Sequence, residues 1–427
     1  MLETLRNAWR VMDLRKKILF TFFIIIVFRI GSVIPVPFID VAALRSSITD
    51  TGTANEFFSY LSILTGGGLE YGAIFAMSVT PYINASIILQ LLTVAIPALE
   101  RLSKEGEEGQ KKIAQLTRYA TVILGLIQGV AYFLYLKNSR LLSVSGIGME
   151  ILSGIVIVLC FTAGSALVMW LGEQIDSKGI GNGISILLFS GIISRAPQAA
   201  NQMLAYWKLD KQFAVIGILV LFLAIIAFIV WMTNAERRIP VQYAKRVVGR
   251  KMYGGQNSHI PIKVNMSGVM PIIFASSILM LPTMILSFMS DKTSTWYKFL
   301  SLFSVRGVFY ACIYFILIIG FAYFYVQIQY NPVEMANNLR KNSGAVPGIR
   351  PGKPTSDFIA RILSRITLLG AVFLSFIAIL PIIVGSVGGI NISLGGTSVL
   401  ILVGVALDTV QNLESQMMMR HYKGFLD

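Results

Sequence analysis

The chain has 427 residues, of which 55% are hydrophobic and only 13% are charged, and its 36 Lys and Arg outnumber its 21 Asp and Glu. A soluble domain carries about 25% charged residues, so this composition excludes an ordinary soluble protein. The mean hydropathy of +0.71 indicates a protein that crosses a membrane several times. Cys160 and Cys312 are the only cysteines and both fall in apolar runs, so neither a disulfide framework nor a metal site is expected.

The apolar runs, taken in chain order, predict ten membrane-spanning helices. A span needs roughly 20 apolar residues to cross about 30 Å of hydrocarbon. The predicted spans are residues 18–36, 73–97, 119–137, 150–172, 181–203, 213–233, 268–289, 308–329, 364–386 and 396–416. No small-residue cleavage motif follows the first run, which is therefore predicted to be a permanent span. An even number of spans puts both termini on one side of the membrane.

The distribution of cations predicts which side that is. Of the 36 Lys and Arg, 26 fall in the termini and loops of one side, nine fall in the loops of the other, and Arg29 lies within the first span. Because cytoplasmic loops carry the excess of Lys and Arg, both termini are predicted to be cytoplasmic. Five spans before about residue 210 and five after it further predict two halves of inverted topology, 1–209 and 210–427. The expected fold is an all-α polytopic membrane protein.

A short apolar run between the first two spans does not fit this simple pattern. FFSYLSIL (57–64) has only eight residues, followed by TGGGL, and is too short to cross a bilayer. Two interpretations stay open from these residues alone. The run is either a re-entrant half-helix buried in a cavity of the protein or a helix at the membrane surface.

Ionisable residues are nearly absent from the predicted spans. Arg29 lies towards the outer end of the first span, where it snorkels or bonds a neighbouring carbonyl, and Asp408 lies towards the cytoplasmic end of the last. Ion-coupled transporters place such groups near the bilayer midplane, so the pattern disfavours an ion-coupled solute transporter, which is kept as the alternative function. Mildly polar residues do recur in three spans, where helix–helix contacts alone would explain them: Asn84, Ser86, Gln90, Gln128, Ser276 and Ser277.

Motifs for catalysis or nucleotide binding are missing from the sequence. His259 and His421 both lie in predicted cytoplasmic segments, and neither HExxH nor GxSxG occurs. GIRPGKPT (348–355) is one residue short of a phosphate-binding loop, and Pro354 would break a following helix. The sequence therefore predicts neither an enzyme nor a cofactor.

A strongly basic arm, RRIPVQYAKRVVGRK (237–251), separates the sixth and seventh predicted spans. It holds six Lys or Arg and no acidic residue. Such an arm fixes topology or contacts anionic lipid, or it binds a polyanion such as RNA. Its residues alone leave these interpretations open.

Eight stretches in the same order resemble the SecY family, the channel-forming subunits of the bacterial protein-conducting translocon. They run from the second span to the last: PYINASIILQLL (81–92), KEGEEGQKKIAQLTRY (104–119), MWLGEQI (169–175), GIGNGISI (179–186), YAKR (243–246), KVNMSGVMPIIFASS (263–277), PGIRPGKPT (347–355) and GGTSVL (395–400). The resemblance implies a passive channel in the bacterial cytoplasmic membrane, which moves unfolded secretory polypeptides across and releases membrane-protein helices sideways into lipid. It also implies SecE and SecG as further subunits.

The same resemblance implies four groups of site residues. A ring of aliphatic side chains closes the pore: Val79, Ile83, Ile184, Leu188, Ile273 and Ile401. A plug over about residues 56–69 covers the ring on the outer side, with Phe57, Phe58, Leu61, Leu64, Gly66, Gly67 and Gly68. A lateral gate for signal sequences opens between spans 2 and 3 and spans 7 and 8, at Ser86, Gln90, Gln128, Ser276 and Ser277. The motor ATPase SecA or the ribosome docks on Tyr243, Lys245, Arg246, Arg250 and Arg350.

Overall fold

The computed structural model describes residues 6, 9–49, 62, 65–144, 146–208, 212–243, 246–248, 251–253, 257–288, 295–303, 307–388 and 396–423. Helices make up most of this part. In chain order they are α1 Met12–Gly31, α2 Val41–Thr49, α3 Thr80–Ala95, α4 Pro97–Lys104, α5 Glu107–Asn138, α6 Ile147–Lys178, α7 Gly183–Ile193, α8 Ala196–Lys208, α9 Gln212–Asn234, α10 Met270–Phe288, α11 Thr295–Ser301, α12 Val308–Gln329, α13 Pro332–Lys341, α14 Lys353–Gly388 and α15 Gly396–Lys423.

A helix overlaps each of the ten ranges predicted to span the membrane, but not all of these helices are long and apolar enough to cross it. By length and composition, six described helices could cross, or seven if α3 and α4, which meet at a bend of 101°, form one span. The others fall short for identifiable reasons. Helix α1 includes several charged residues in its first turns, and the fifth predicted span is broken into α7 and α8 around Arg195.

The helices form two packed groups that meet in a shared core. One apolar cluster lies entirely between Val36 and Phe161, and another entirely between Phe222 and Leu407. A third cluster draws on both groups, because it combines side chains of α1, α3, α6 and α7 with side chains of α10 and α15. Helix α15 packs on α7, whereas α3 and α10 touch at only a few positions. The shared cluster is therefore the main apolar contact between the two groups.

The basic arm contains β-strands, which corrects the prediction that the chain is entirely helical. Strand β1 (Glu236–Tyr243) pairs antiparallel with β4 (Asn257–Lys263), and β2 (Arg246–Val248) pairs with β3 (Lys251–Tyr253). A two-residue strand, β5 (Gly344–Ala345), joins the other side of β1. The arm is thus a β-hairpin that lies between helices α9 and α10 in the chain.

Alternating side chains explain why β1 forms. Ile239 and Val241 point inward to an apolar cluster with residues of α12, α13 and α14, and the residues between and before them are exposed. This alternation is the pattern of a half-buried strand. Pro240 interrupts the pattern in the sequence, but β5 pairs only with Gln242 and Tyr243, so the missing N–H of Pro240 removes no bond on that side.

We predict that Gly164→Ala destabilises the protein strongly. Gly164 lies in α6, and a Cβ there would lie 2.1 Å from the carbonyl oxygen of Ile74, which is backbone that cannot rotate away. Gly217→Ala in α9 is the matched control, because a Cβ there meets nothing within 4 Å and alanine favours a helix by about 1 kcal/mol over glycine. Thermal unfolding in detergent should show a lower midpoint for Gly164→Ala only. Equal midpoints would contradict this packing.

Candidate pore and docking sites

The six residues predicted to close a pore lie together in the shared cluster. Val79, Leu188 and Ile401 are 1%, 5% and 3% exposed, and Ile83, Ile184 and Ile273 pack against them partly buried. We call these six residues the collar. Val79 immediately precedes α3 and Ile83 lies in it, the other four come from α7, α10 and α15, and none carries charge. The structure therefore brings the six side chains to one place, while their role as a pore constriction stays a prediction.

Backbone contacts at the start of α7 fix two collar residues. The Asn182 side chain caps the helix by accepting a bond of 3.0 Å from the backbone N–H of Ser185, and Gly183 N–H donates to Asp176 at 2.7 Å. A Cβ at position 183 would lie 2.0 Å from the carbonyl oxygen of Gly172, so only glycine allows α7 to start this close to α6. Ile184 and Leu188 follow one turn apart on the same face.

The glycines of the predicted plug form a tight segment against α7. We call residues 65–72 the stem. Gly66 and Gly67 have φ values of +66° and +93°, and a Cβ at Gly66 would lie 2.7 Å from the carbonyl oxygen of Gly191. Glycine is thus required there both by the backbone conformation and by the close approach. The other plug candidates, Phe57, Phe58, Leu61 and Leu64, lie outside the described residues.

Two arginines hold the stem to the end of α7. Arg29 donates from Nε to the Ser190 hydroxyl at 3.1 Å, from Nη2 to the Ser190 carbonyl, and from Nη1 to the Gly66 carbonyl at 3.4 Å. Ser194 also donates to the Gly66 carbonyl, at 3.2 Å. Arg29 therefore bonds neighbouring carbonyls, which was one of its two predicted interactions.

The second arginine forms a buried ion pair that the sequence analysis missed. Arg195 Nη2 lies 2.5 Å from Glu70 Oε1, and the two side chains are only 7% and 12% exposed. The Ser62 hydroxyl accepts a bond from Arg195 and donates one of 3.0 Å to Glu70. Arg195 falls inside the fifth predicted span, 181–203, where a charged side chain needs a partner, and this signal in the sequence was overlooked. We call Arg29, Glu70, Ser190, Ser194 and Arg195 the latch.

The lateral-gate candidates lie on the helices expected of them but are not joined to one another across the gate. Gln90 donates to Ser86 within α3, at 3.4 Å, and Ser276 donates to the Ile273 carbonyl within α10, at 2.9 Å. Gln128 in α5 and Ser277 in α10 are half-buried. Among the residues that the structure describes, no hydrogen bond links these side chains of α3 or α5 to those of α10.

The sheet brings two of the docking candidates into neighbouring segments. Tyr243, at the end of β1, pairs with Gly344 of β5, and the loop after β5 leads to the exposed Arg350. Thr355 donates to the Arg350 carbonyl at 2.9 Å, which holds the backbone of that loop. The backbone of Arg246 begins β2, whereas Lys245 and Arg250 lie outside the described residues. Sequence reasoning missed this pairing because it treated the two segments as separate loops.

Comparison with known proteins identifies the family. The SecY family model matches residues 73–410. Over 443 residues the chain is 42% identical to the protein translocase subunit SecY of Streptomyces galbus, with both chains fully covered. Over 432 residues it is 43% identical to that of Thermotoga maritima, covering 100% of this chain and 98% of the relative.

Solved structures share the fold at lower identity. A structure described as "The structure of a protein conducting channel" has a TM-score of 0.65 at 16% identity, covering 94% of this chain and 92% of the other. Sec61 in the canine ribosome–channel complex from the endoplasmic reticulum has a TM-score of 0.61 at 15% identity, with the same coverage. The family match, the full-length relatives and this shared fold all confirm the resemblance, and the chain belongs to the SecY family.

Proposed function

We propose that this chain is the channel subunit of a protein translocase, a passive pore that passes unfolded polypeptides across a membrane and releases apolar helices sideways into it. The observation that carries this proposal is the collar, six uncharged aliphatic residues in or next to four helices, gathered in one cluster. Branched aliphatic side chains exclude water and ions by dewetting. They offer no charge and no specific partner, which suits a pore whose substrates share no sequence.

The proposed topology has ten crossings in two inverted halves, with both termini in the cytoplasm of a bacterium. Helices that overlap all ten predicted ranges and the excess of cations on one side support it. Most residues of the short helix α7 are buried in the protein, so it needs less length and hydropathy than a span that faces lipid. The solute-transporter alternative is not supported, because the family is that of a protein translocase subunit.

The proposed lateral gate separates the helix pairs α3–α5 and α10–α12. Each pair packs extensively within itself, and α3 meets α10 at only a few positions. A hydrogen bond between helices contributes only roughly 0.6–2 kcal/mol in a membrane, and the described gate candidates form none across this seam. An arriving apolar helix can therefore replace the few contacts that hold the gate closed.

The proposed partners are SecE and SecG in the membrane, and SecA or the ribosome at the cytoplasmic face. The canine relative is a ribosome–channel complex, which supports a ribosome partner. The end of β1 lies beside the β5 segment that leads to the exposed Arg350, and the sequence of the arm is rich in Lys and Arg. A polyanion such as ribosomal RNA binds a cationic surface in a salt-sensitive way. The energy for transport comes from these partners, since the channel is not an enzyme.

The central test is reconstitution of the chain with SecE, SecG and SecA in lipid vesicles. A secretory precursor should become protected from external protease only when ATP is supplied. Vesicles without the chain are the control. If protection does not depend on the chain, the proposed function is wrong.

Replacing Ile83, Ile184 and Ile273 together by serine is expected to raise the ion conductance of vesicles that contain the resting channel. Hydroxyl groups hydrate the collar and remove the dewetted barrier. The matched control replaces the same three residues by valine, which keeps the collar apolar and should keep the vesicles tight. Conductance that is the same in both variants would contradict a sealing role.

Glu70→Gln is expected to raise the same ion leak by weakening the latch. It leaves the Arg195 charge buried without its carboxylate, a change that costs about 3–5 kcal/mol for a buried pair. Arg195→Met alone should leak as well, and Glu70→Gln combined with Arg195→Met should leak less than the sum of the two single variants.

The control for the latch is Arg118→Ala. It removes an ion pair of 2.7 Å with Glu173 that is largely exposed, at 49% and 27%, and such pairs contribute about 0–1 kcal/mol. Strict additivity of the two latch variants, or an equal leak from Arg118→Ala, would contradict the latch.

Arg350→Glu is expected to reduce SecA-driven translocation about tenfold or more, because it reverses a contact charge at the docking surface. Arg140→Glu makes the same charge change at an exposed residue predicted on the opposite face, and should have no effect. Translocation rates with added ATP, measured at two salt concentrations, distinguish the two. Full activity of Arg350→Glu would exclude this arginine from docking.

A further inference from the structure

A polar groove lies between the start of α7 and the cytoplasmic part of α15. It has a volume of about 260 Å³ and is lined by Asn182, Ser185, Val405, Asp408, Thr409, Gln411, Asn412 and Ser415. One water takes up about 30 Å³ in the liquid, so this space holds about eight waters or a short stretch of peptide. Six of its eight lining residues are neutral amides or hydroxyls, unlike the aliphatic cluster beside it.

The groove begins where the collar ends. Val405 lines the groove and is also a buried member of the shared cluster that contains the collar. On the other side, the collar residue Ile184 lies between the groove residues Asn182 and Ser185 in sequence. With a rise of 1.5 Å per residue, Asp408 lies about 10 Å along α15 from Ile401. A polypeptide on its way to the collar from this side therefore passes the groove.

The length of the groove suits an extended chain. Its α15 residues, from Val405 to Ser415, cover about 15 Å of helix, which equals about four or five residues at 3.3 Å each. Every residue of an extended peptide carries one N–H donor and one carbonyl acceptor, whatever its side chain. Amide and hydroxyl groups both donate and accept, so they can bond any such backbone.

Asp408 gives the groove a charge preference. It is the single ionisable residue in the lining, and its side chain is exposed to the groove. Lys263 is the nearby cation, and its ammonium group donates to the Gln411 side chain at 2.6 Å. This bond directs the ammonium group to a neutral amide, and no ion pair joins Lys263 to Asp408 among the described residues, so the Asp408 carboxylate is not neutralised by direct contact. A carboxylate in this position attracts a passing Lys or Arg and repels Asp or Glu.

We propose that this groove is a binding site for the translocating polypeptide itself, which holds four or five extended residues just before the collar and retains cationic residues longest. The inference rests on the proposed channel function and deepens it. The neutral lining binds the backbone of any substrate weakly, and Asp408 makes the dwell time depend on charge. Basic segments therefore pause at the groove before they enter the collar.

The test uses reconstituted channel with its partners and three forms of one precursor. The forms carry five Arg, five Gln or five Glu at the same place in the mature region, and the time to protease protection is measured. In the unaltered channel the Arg form should lag behind the Gln form. Asp408→Asn should shorten that lag, on the order of fivefold, and leave the Gln form unchanged.

Glu414→Gln is the matched control, because it removes the same charge from the same helix at a residue outside the groove lining. It should leave all three transit times as they are. If Asp408→Asn gives the same ratio of Arg to Gln transit times as the unaltered channel, the charge preference is overturned. If no precursor crosses in the unaltered channel, the proposed function fails instead, so the two failures are distinguishable.

Cross-linking tests the position of the site without relying on rates. Cysteine is placed at Ser415 or at Glu414, with Cys160 and Cys312 replaced by serine, and a precursor with one cysteine is stalled in the channel. A disulfide from Ser415→Cys to precursor residues just behind the collar is expected, and a weaker one from Glu414→Cys. A disulfide to the motor alone, or equal yields from both positions, would overturn the proposal.

Discussion

The structure depends on an apolar contact between two groups of helices that carries no charge. In water the hydrophobic effect would hold such a contact firmly, but lipid is as apolar as the side chains themselves. Packing therefore holds the shared cluster together, and its apolar side chains can be covered by lipid or by another polypeptide when the two groups separate. A pore seal of the kind proposed here would open at modest cost. The polar elements of the molecule lie at the margins of this cluster.

The latch is the main polar element at one margin. Arg195 and Glu70 are nearly buried, so neither is tolerated without the other, and their geometry defines one position of the stem. Arg29 adds bonds to the carbonyls of Gly66 and Ser190 from a third segment of the chain. Contacts between apolar side chains are not directional and define the relative position of two segments poorly, whereas hydrogen bonds and ion pairs are directional and define it well. The latch thus gives the packing of the stem on the end of α7 a defined geometry that the aliphatic side chains do not supply.

The proposed docking surface lies at the opposite margin. A hairpin that is paired along β1 and packed on an apolar cluster through Ile239 and Val241 has less backbone freedom than a loop would. Pre-ordering lowers the entropy lost when a partner binds. The polar groove between α7 and α15 lies between this face and the collar. The residues that line the proposed path therefore change from cations to neutral amides and then to aliphatic side chains.

The sequence by itself determined the membrane class, the approximate positions of the apolar helices and the family, because hydropathy and long motifs are local properties of the chain. It also gave the six collar residues, through the family resemblance. Only the tertiary structure decided which distant groups meet. Arg195 and Glu70 are 125 residues apart, Tyr243 pairs with Gly344, and Asn182 faces Asp408 across the groove. No local pattern encodes such pairs, because each depends on how whole helices and strands pack.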